Sequence, residues 1–360
     1  PPIMGSAAFI LAEYTGTPYR EIVFAAIIPA LLYYLGVFLQ VHIRSVRHNL
    51  RPYEDAVPPL SKTLKDGWPY LIPIAMIIGV LVAGYSPVFT AGAGALAVVV
   101  ASTLTARTRM SPKQVMEGLA ETTLRILPVA GACAAAGLVI GGLSMTGLGM
   151  KAANVIVEVS AGIDVLTLLV AAIVTIILGL GMPTPSAYIL AAVLVGPALA
   201  KIGFPVLESH MFLLYFAILS ALTPPIAVAA LAAAAIAEED PIIIALQAVR
   251  LAVVGFLVPF VFLWNPAILG QGDAISVALA IAGGVCAAWS IAVAMEWANL
   301  PGGVAMAWPI RVALFGVAAA SVAPLPLVAI CGMLASLALL AVIYLHARRQ
   351  PRENETAGAE

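Results

Sequence analysis

Eight stretches free of Asp, Glu, Lys and Arg set the terms for this chain: residues 22–43, 67–106, 126–150, 165–200, 209–237, 251–272, 274–295 and 312–347. Each is long enough for one helical crossing of a bilayer at about 20 residues, and three approach the length of two, so about ten crossings or re-entrant passes are expected. A water-soluble fold of 360 residues has no interior large enough for a chain that is 62% hydrophobic and 10% charged; ordinary soluble domains run at roughly 45–50% apolar and about 25% charged. The runs are continuous rather than alternating in polarity, and Gly and Pro punctuate them, which is the pattern of helices and not of barrel strands. The fold class expected is therefore an all-α polytopic membrane protein.

The charges that remain exclude several functions. A net charge of −1 with no basic stripe gives no footprint for a nucleic-acid partner. Cys133, Cys286 and Cys331 fall in separate apolar runs without CxxC spacing, as small buried hydrophobes do, so neither a disulfide framework nor a metal site is expected. His42, His48, His210 and His346 lie at or near span ends, and no HExxH, GxSxG or P-loop occurs. An intramembrane transferase needs acids spaced to bridge Mg²⁺ and a diphosphate, and the cluster Glu238-Glu239-Asp240 lacks that spacing. A channel would show a ring-forming pattern of like residues, which is absent. No enzyme and no cofactor is expected.

Basic residues orient the chain. Loops 41–66 and 107–125 are rich in Lys and Arg and are expected on the cytoplasmic side, and 67–106 breaks at Gly84-Tyr85-Ser86-Pro87 into two crossings that return the chain to that side. Residues 111–125 read as an amphipathic surface helix, with Ser111 as N-cap, Pro112 at the first position, and Glu117, Glu121 and Arg125 on a solvated face. The prolines of 52–59 mark a polar connector.

Prolines and small polar residues interrupt apolar runs at membrane depth in PPIMGSAAF (1–9), GLGMPTPSAY (179–188) and SALTPPIAVAA (220–230). Proline removes an amide donor and breaks its helix, freeing carbonyls and hydroxyls in a medium that does not hydrate them. One isolated proline is most simply a kink satisfied by a neighbouring helix; three clusters point to broken helices lining an ion or substrate site. A shift of 223 residues lays Pro1-Pro2-Ile3 on Pro224-Pro225-Ile226 and Pro18 on Pro241. Paired interruptions in corresponding positions of two halves mark a secondary transporter built from repeats.

At these residues the chain resembles a known family. PPIMGSAAFILAEYTGTPYREI, GLGMPTPSAYILAAVLVGPALAKIG and ALTPPIAVAALAAAAIAEEDP, over residues 1 to about 272, resemble the large permease subunit (DctM-like) of the tripartite ATP-independent periplasmic (TRAP) transporters, most closely the fused permeases that work with TAXI-type binding proteins. The resemblance implies an ion-transporter-like pair of inverted repeats with the first truncated, in the cytoplasmic (inner) membrane of a bacterium or archaeon. It implies sodium-coupled, elevator-type import of small organic carboxylates delivered by a periplasmic solute-binding protein. Since the sequence opens on Pro1-Pro2 and not on Met, it reads as a C-terminal fragment, with small-subunit helices expected in the portion before it. The divisions expected are 1–40, the remainder of the first repeat; 41–66, a cytoplasmic loop; 67–125, scaffold spans and the surface helix; 126–272, the second repeat; 273–347, additional C-terminal spans; and 348–360, a polar tail. By the same resemblance 1–6 descends from the first hairpin, while 181–186 starts and 220–225 ends a second re-entrant hairpin at about 183–225.

Sodium favours oxygen ligands, which broken helices supply as backbone carbonyls beside hydroxyls. The candidate sodium and substrate residues are Pro2, Gly5, Ser6, Gly179, Gly181, Met182, Thr184, Pro185, Ser186, Ser220, Ala221, Thr223, Pro224 and Pro225, with Na⁺ itself placed at Thr223, Ser220 and Gly181. Each hydroxyl has an alternative use, a bond back to the carbonyl four residues earlier in its own helix. A half-helix N-terminus near Pro185 or Pro225 offers free amides to a carboxylate. Arg250 reads as a snorkelled structural cation, Glu13 and 238–240 as solvated turn acids, and Glu296 with Trp297 as an interfacial anchor.

Overall fold

The structure is a computed structural model that describes residues 5, 7–50, 59–105, 108–296 and 308–349. Among them it is all α-helix with two 3₁₀ turns, at Trp68–Tyr70 and Pro266–Leu269. The helices are α1 Ala7–Thr15, α2 Tyr19–Arg47, α3 Leu60–Gly67, α4 Leu71–Val82, α5 Pro87–Ser102, α6 Pro112–Met145, α7 Leu148–Val159, α8 Asp164–Gly179 and α9 Thr184–Leu194. The chain continues with α10 Gly196–Lys201, α11 Val206–Leu219, α12 Val228–Ala237, α13 Pro241–Leu251, α14 Val253–Trp264, α15 Ala274–Glu296, α16 Trp308–Ser321 and α17 Pro326–Arg349. Four helices, α2, α6, α15 and α17, are long and apolar enough to cross a membrane, and the bent pair α13–α14 makes a fifth span if counted as one. The remaining apolar helices are shorter, and this is where the expected passes are divided.

The local rules act where the sequence places them. Ser86 caps α5 through the Phe89 amide, and Ser111 with Gln114 forms a capping box on α6. The break expected at Gly84–Pro87 separates α4 from α5, which pack on each other as a hairpin. The surface helix expected over 111–125 does not stop there: α6 runs on for 34 residues, through Pro128, to Met145. Its Arg125–Glu121 pair and its Lys113–Glu117 contact are both exposed. These pairs mark a solvated first half without ending the helix, because i,i+4 ion pairs support a helix wherever it leads.

The 223-residue shift has a counterpart in the helices. It carries α1 onto α12, the segment after Pro18 onto α13, and Pro29, inside α2, onto Ala252, where α13 bends 42° into α14. Proline removes one helical hydrogen bond at the place where the other copy has already broken.

α11 sits at the centre. Ten of its 14 residues are buried, as expected of a helix apolar on every side. Phe212 and Phe216 interleave with Phe260 of α14 at ring separations of 5.3 and 5.6 Å; α8, α9 and α1 cover its other faces. α15 lies along α2 and carries α16 and α17 on its outer side, a close approach that glycine permits. A Cβ on Gly283 would stand 2.0 Å from the Ser321 carbonyl oxygen and one on Gly332 would stand 2.5 Å from the Ser321 amide. Small residues at such contacts are the usual means of packing helices in a bilayer.

Candidate functional site

The chain is interrupted twice between α8 and α12, and the two interruptions meet. Between α8 and α9, Leu180–Pro183 turns the chain back on itself. Gly181 holds φ +73°, and a Cβ on Gly179 would lie 3.4 Å from that of Ala187, on the facing helix. Between α11 and α12, residues 222–227 loop out while the Ala229 amide donates to the Ala221 carbonyl at 3.0 Å, holding the two helix ends together. A Cβ on Gly179 would stand 2.4 Å from Ser220 Oγ, and one on Gly181 would stand 3.4 Å from Ile226. The tip of one element therefore rests in the break of the other.

The hairpin expected over 183–225, whose arms α9 and α11 pack on each other, stands beside a second fold-back. At Leu180–Pro183 the chain also reverses, so α8 and α9 pack side by side with GMPTPS at their tip, whereas SALTPP interrupts the run from α11 to α12. Proline spacing marks both breaks equally and does not reveal which one reverses the chain. The arms are short for a crossing: 11 residues in α9 and 16 in α8 span about 16 and 24 Å against about 30 Å of hydrocarbon.

Each candidate residue now has a place. Pro2 and Ser6 lie outside the described residues; Gly5 is exposed, at φ +60°, ahead of α1. Gly179 is buried against Ser220. Gly181 is exposed and Met182 and Thr184 half-buried at the tip. Pro185 is the second residue of α9. Ser186 is buried and its Oγ donates to Cys133 Sγ of α6 at 3.7 Å, away from the break. Ser220 Oγ donates to the Ala217 carbonyl at 2.7 Å and Thr223 Oγ1 to that of Leu219 at 2.9 Å. Both donors therefore take the back-bonding option, which leaves their lone pairs free to accept or to ligate. The Pro224–Pro225 peptide is cis.

The backbone leaves unpaired groups on both sides of the contact. At the end of α11 the carbonyls of Phe216, Ile218 and Leu219 accept amides, that of Ser220 accepts from Thr223, and that of Ala221 from Ala229, while those of Leu222, Pro224, Pro225 and Ile226 in the loop receive none among the described residues. At the tip, the Gly179 carbonyl accepts from Met182, but those of Leu178, Gly181 and Met182 receive no amide among the described residues. The amides of Thr184 and Ser186 at the start of α9, and of Val228 and Ala230 at the start of α12, likewise find no backbone acceptor there. The contact thus offers bare carbonyl oxygens from a helix C-terminus beside bare amides from two N-termini, suited to a cation and an anion respectively. Ala227, at the head of α12, is held at φ +39°, a conformation costing an L-residue about 1–2 kcal/mol. Strain of this kind collects where backbone geometry serves a function.

Two polar clusters were not legible as clusters. Tyr188 of α9 and His210 of α11 join through an OH···Nδ1 contact of 2.9 Å, with the Tyr14 ring 5.2 Å from the imidazole. Arg250 and Glu296, read separately in the sequence, form an ion pair at 3.2 Å; the carboxylate side chain is 2% exposed. Arg250 also donates to the Met295 carbonyl and Arg47 to that of Glu296, tying α2, α13 and α15. The available signal is the rule that a charge within an apolar span seeks a partner; the 45 residues between the two hide which. No group of three or more His, Cys, Asp or Glu able to hold a metal occurs among the described residues, so any cation at the breaks would be held by neutral oxygens.

No curated protein and no solved structure matches this chain. A family model does, over residues 1–277, the stretch that contains both interrupted elements and stops in the first turn of α15. The chain is thus a multi-pass membrane protein of a transporter family whose members work with a periplasmic binding protein and a small subunit, and it belongs to the family of the tripartite ATP-independent periplasmic transporter, DctM component.

Proposed function

We propose that this chain is the permease component of a sodium-coupled TRAP transporter that imports small organic carboxylates. The observation that carries the reading is the meeting of the hairpin tip with the α11–α12 break. Unpaired carbonyls of Leu178, Gly181 and Met182 stand there beside the Ser220 and Thr223 hydroxyls, and free amides open α9 and α12. In the proposed mechanism Na⁺ is ligated by the Gly181 carbonyl and by lone pairs of Ser220 and Thr223. The amides of Thr184, Ser186, Val228 and Ala230 receive the carboxylate, favoured by the positive ends of the two half-helices. A site built of neutral oxygens holds the ion weakly, as a carrier must, since the ion has to leave. The α8–α9 hairpin and α12 would move as an elevator relative to a scaffold, with substrate delivered by a TAXI-type solute-binding protein that chooses among carboxylates. The membrane is the cytoplasmic one of a bacterium or archaeon.

The test is uptake into proteoliposomes containing the full-length permease with its small subunit and a binding protein loaded with labelled carboxylate. An inward Na⁺ gradient should drive accumulation and an equal K⁺ gradient should not. Accumulation indifferent to Na⁺ would refute sodium coupling, and no accumulation with any carboxylate would favour a scaffold subunit.

A further inference from the structure

Away from the interrupted elements, α8, α14, α15 and α16 leave an apolar cavity of about 630 Å³, open on one side, whose walls include Leu169, Val258, Trp264, Ala288, Ile291 and Phe315. Its lining holds no charged side chain. One end is different. Gly283 packs on Ser321, and the antiparallel register that follows sets Arg311 level with Val293, near the Glu296 end of α15. Arg311 shares a helical stripe with Phe315 and Ala318, both on the cavity wall. Helical side chains lean toward the N-terminus, so Arg311 reaches past the cavity toward its polar end. Its Nε is buried and has no hydrogen-bond partner among the described residues. Arg47 and Arg250 lie at the same end, where the Glu296 carboxylate pairs with Arg250 and Arg47 donates to the Glu296 backbone carbonyl.

An apolar cavity at membrane depth does not hold water stably. A transmembrane helix, about 10 Å across and about 30 Å long, occupies roughly 2,400 Å³, nearly four times the space; a slender acyl chain does fit. We propose that this cavity binds an acyl chain of an anionic phospholipid, with Arg311 holding the phosphate at the charged end. Arginine suits phosphate because its planar fork donates two parallel hydrogen bonds. The site joins the family-matched region to the spans that follow it, and it owes nothing to the sodium reading.

The experiment incubates full-length protein with vesicles of equimolar phosphatidylglycerol and phosphatidylcholine, then counts retained lipid by native mass spectrometry. The wild type should retain phosphatidylglycerol in preference. Arg311→Gln should lower that preference about tenfold, the worth of a charge-assisted bond, and Arg311→Lys should keep most of it. Ala319→Phe, which fills the cavity and leaves Arg311 in place, should reduce retention of both lipids, with helical content unchanged. Equal retention of the two lipids by the wild type, an unaltered preference in Arg311→Gln, or a polypeptide protecting the cavity instead of lipid would each overturn the proposal. Should Arg311→Gln not fold, the wild-type preference and the Ala319→Phe result decide it.

Discussion

Adding one methyl group at Gly179 should separate the hairpin tip from the α11–α12 break. The Cβ of an alanine there would lie 2.4 Å from Ser220 Oγ and 2.8 Å from Ser220 Cβ, with Ala187 Cβ at 3.4 Å behind it. Ser220 is 1% exposed and has no room to swing aside. Overpacking of this kind costs about 1–3 kcal/mol, while alanine's better helix propensity returns at most about 1 kcal/mol. The net is a loss of about 1–2 kcal/mol, a fall in melting temperature of about 2–4 °C per kcal/mol. Ser220→Gly removes both atoms that clash, so a Gly179→Ala/Ser220→Gly double variant should recover most of the loss relative to Ser220→Gly alone. The double-mutant cycle should give a coupling of about 1–2 kcal/mol, read by tryptophan-monitored thermal unfolding in detergent. Additive effects within about 0.5 kcal/mol would mean that the two interruptions do not touch, and the site described here would dissolve with them.

Further outcomes follow from single contacts. Arg250→Leu, which strands the buried Glu296 carboxylate, should lower stability more than the Arg250→Leu/Glu296→Leu pair does, because removing both charges removes the desolvation penalty as well; the partial exposure of Arg250 keeps the difference toward the lower end of about 3–5 kcal/mol. Gly283→Ala, with its Cβ 2.0 Å from the Ser321 carbonyl oxygen, should loosen α16 from α15 and lower the melting temperature by several degrees. Asp273, exposed at the head of α15, accepts from the Ser276 hydroxyl and from the Ile275 and Ser276 amides, and these bonds, the Ser276 hydroxyl first, hold its carboxyl below the usual carboxylate range. Its contribution is therefore present above the unfolded value near pH 4 and is lost as pH falls through the depressed folded value. Hydrogen exchange in the first turn of α15 should speed up over that acid range in the wild type, and should be fast at every pH in Asp273→Ala.

The sequence made the breaks plain and left their partnership hidden. Pro183-Thr184-Pro185 and Pro224-Pro225 set prolines together beside small polar residues and mark both interruptions, whereas the isolated Pro29 and Pro128 sit inside continuous helices. That 179–183 closes a hairpin while 220–227 interrupts the run from α11 to α12 depends on α11 being flanked by α8 and α9, which is a matter of packing between distant segments. The end of α6 was misplaced for a related reason: Glu117, Glu121 and Arg125 describe a wet surface, and the apolar stretch after them continues the same helix. Sequence leaves each hydroxyl a choice between back-bonding and ligation; in the structure the donors of Ser220 and Thr223 are spent on their own helix while Ser186 turns to Cys133. The carbonyl inventory, which has no sequence signature beyond proline, shows that both the hairpin tip and the α11–α12 loop have oxygen to spare.

The central claim is that the meeting of tip and break is a sodium site, and sodium-dependent stabilisation of the purified permease tests it most directly. Melting temperature should rise with NaCl and stay level with KCl at equal ionic strength, and Thr223→Ala should move the half-maximal sodium concentration up by about tenfold, the worth of one oxygen facing a cation. A melting temperature that responds alike to both salts, or a Thr223→Ala variant whose sodium response matches the wild type, would contradict the account.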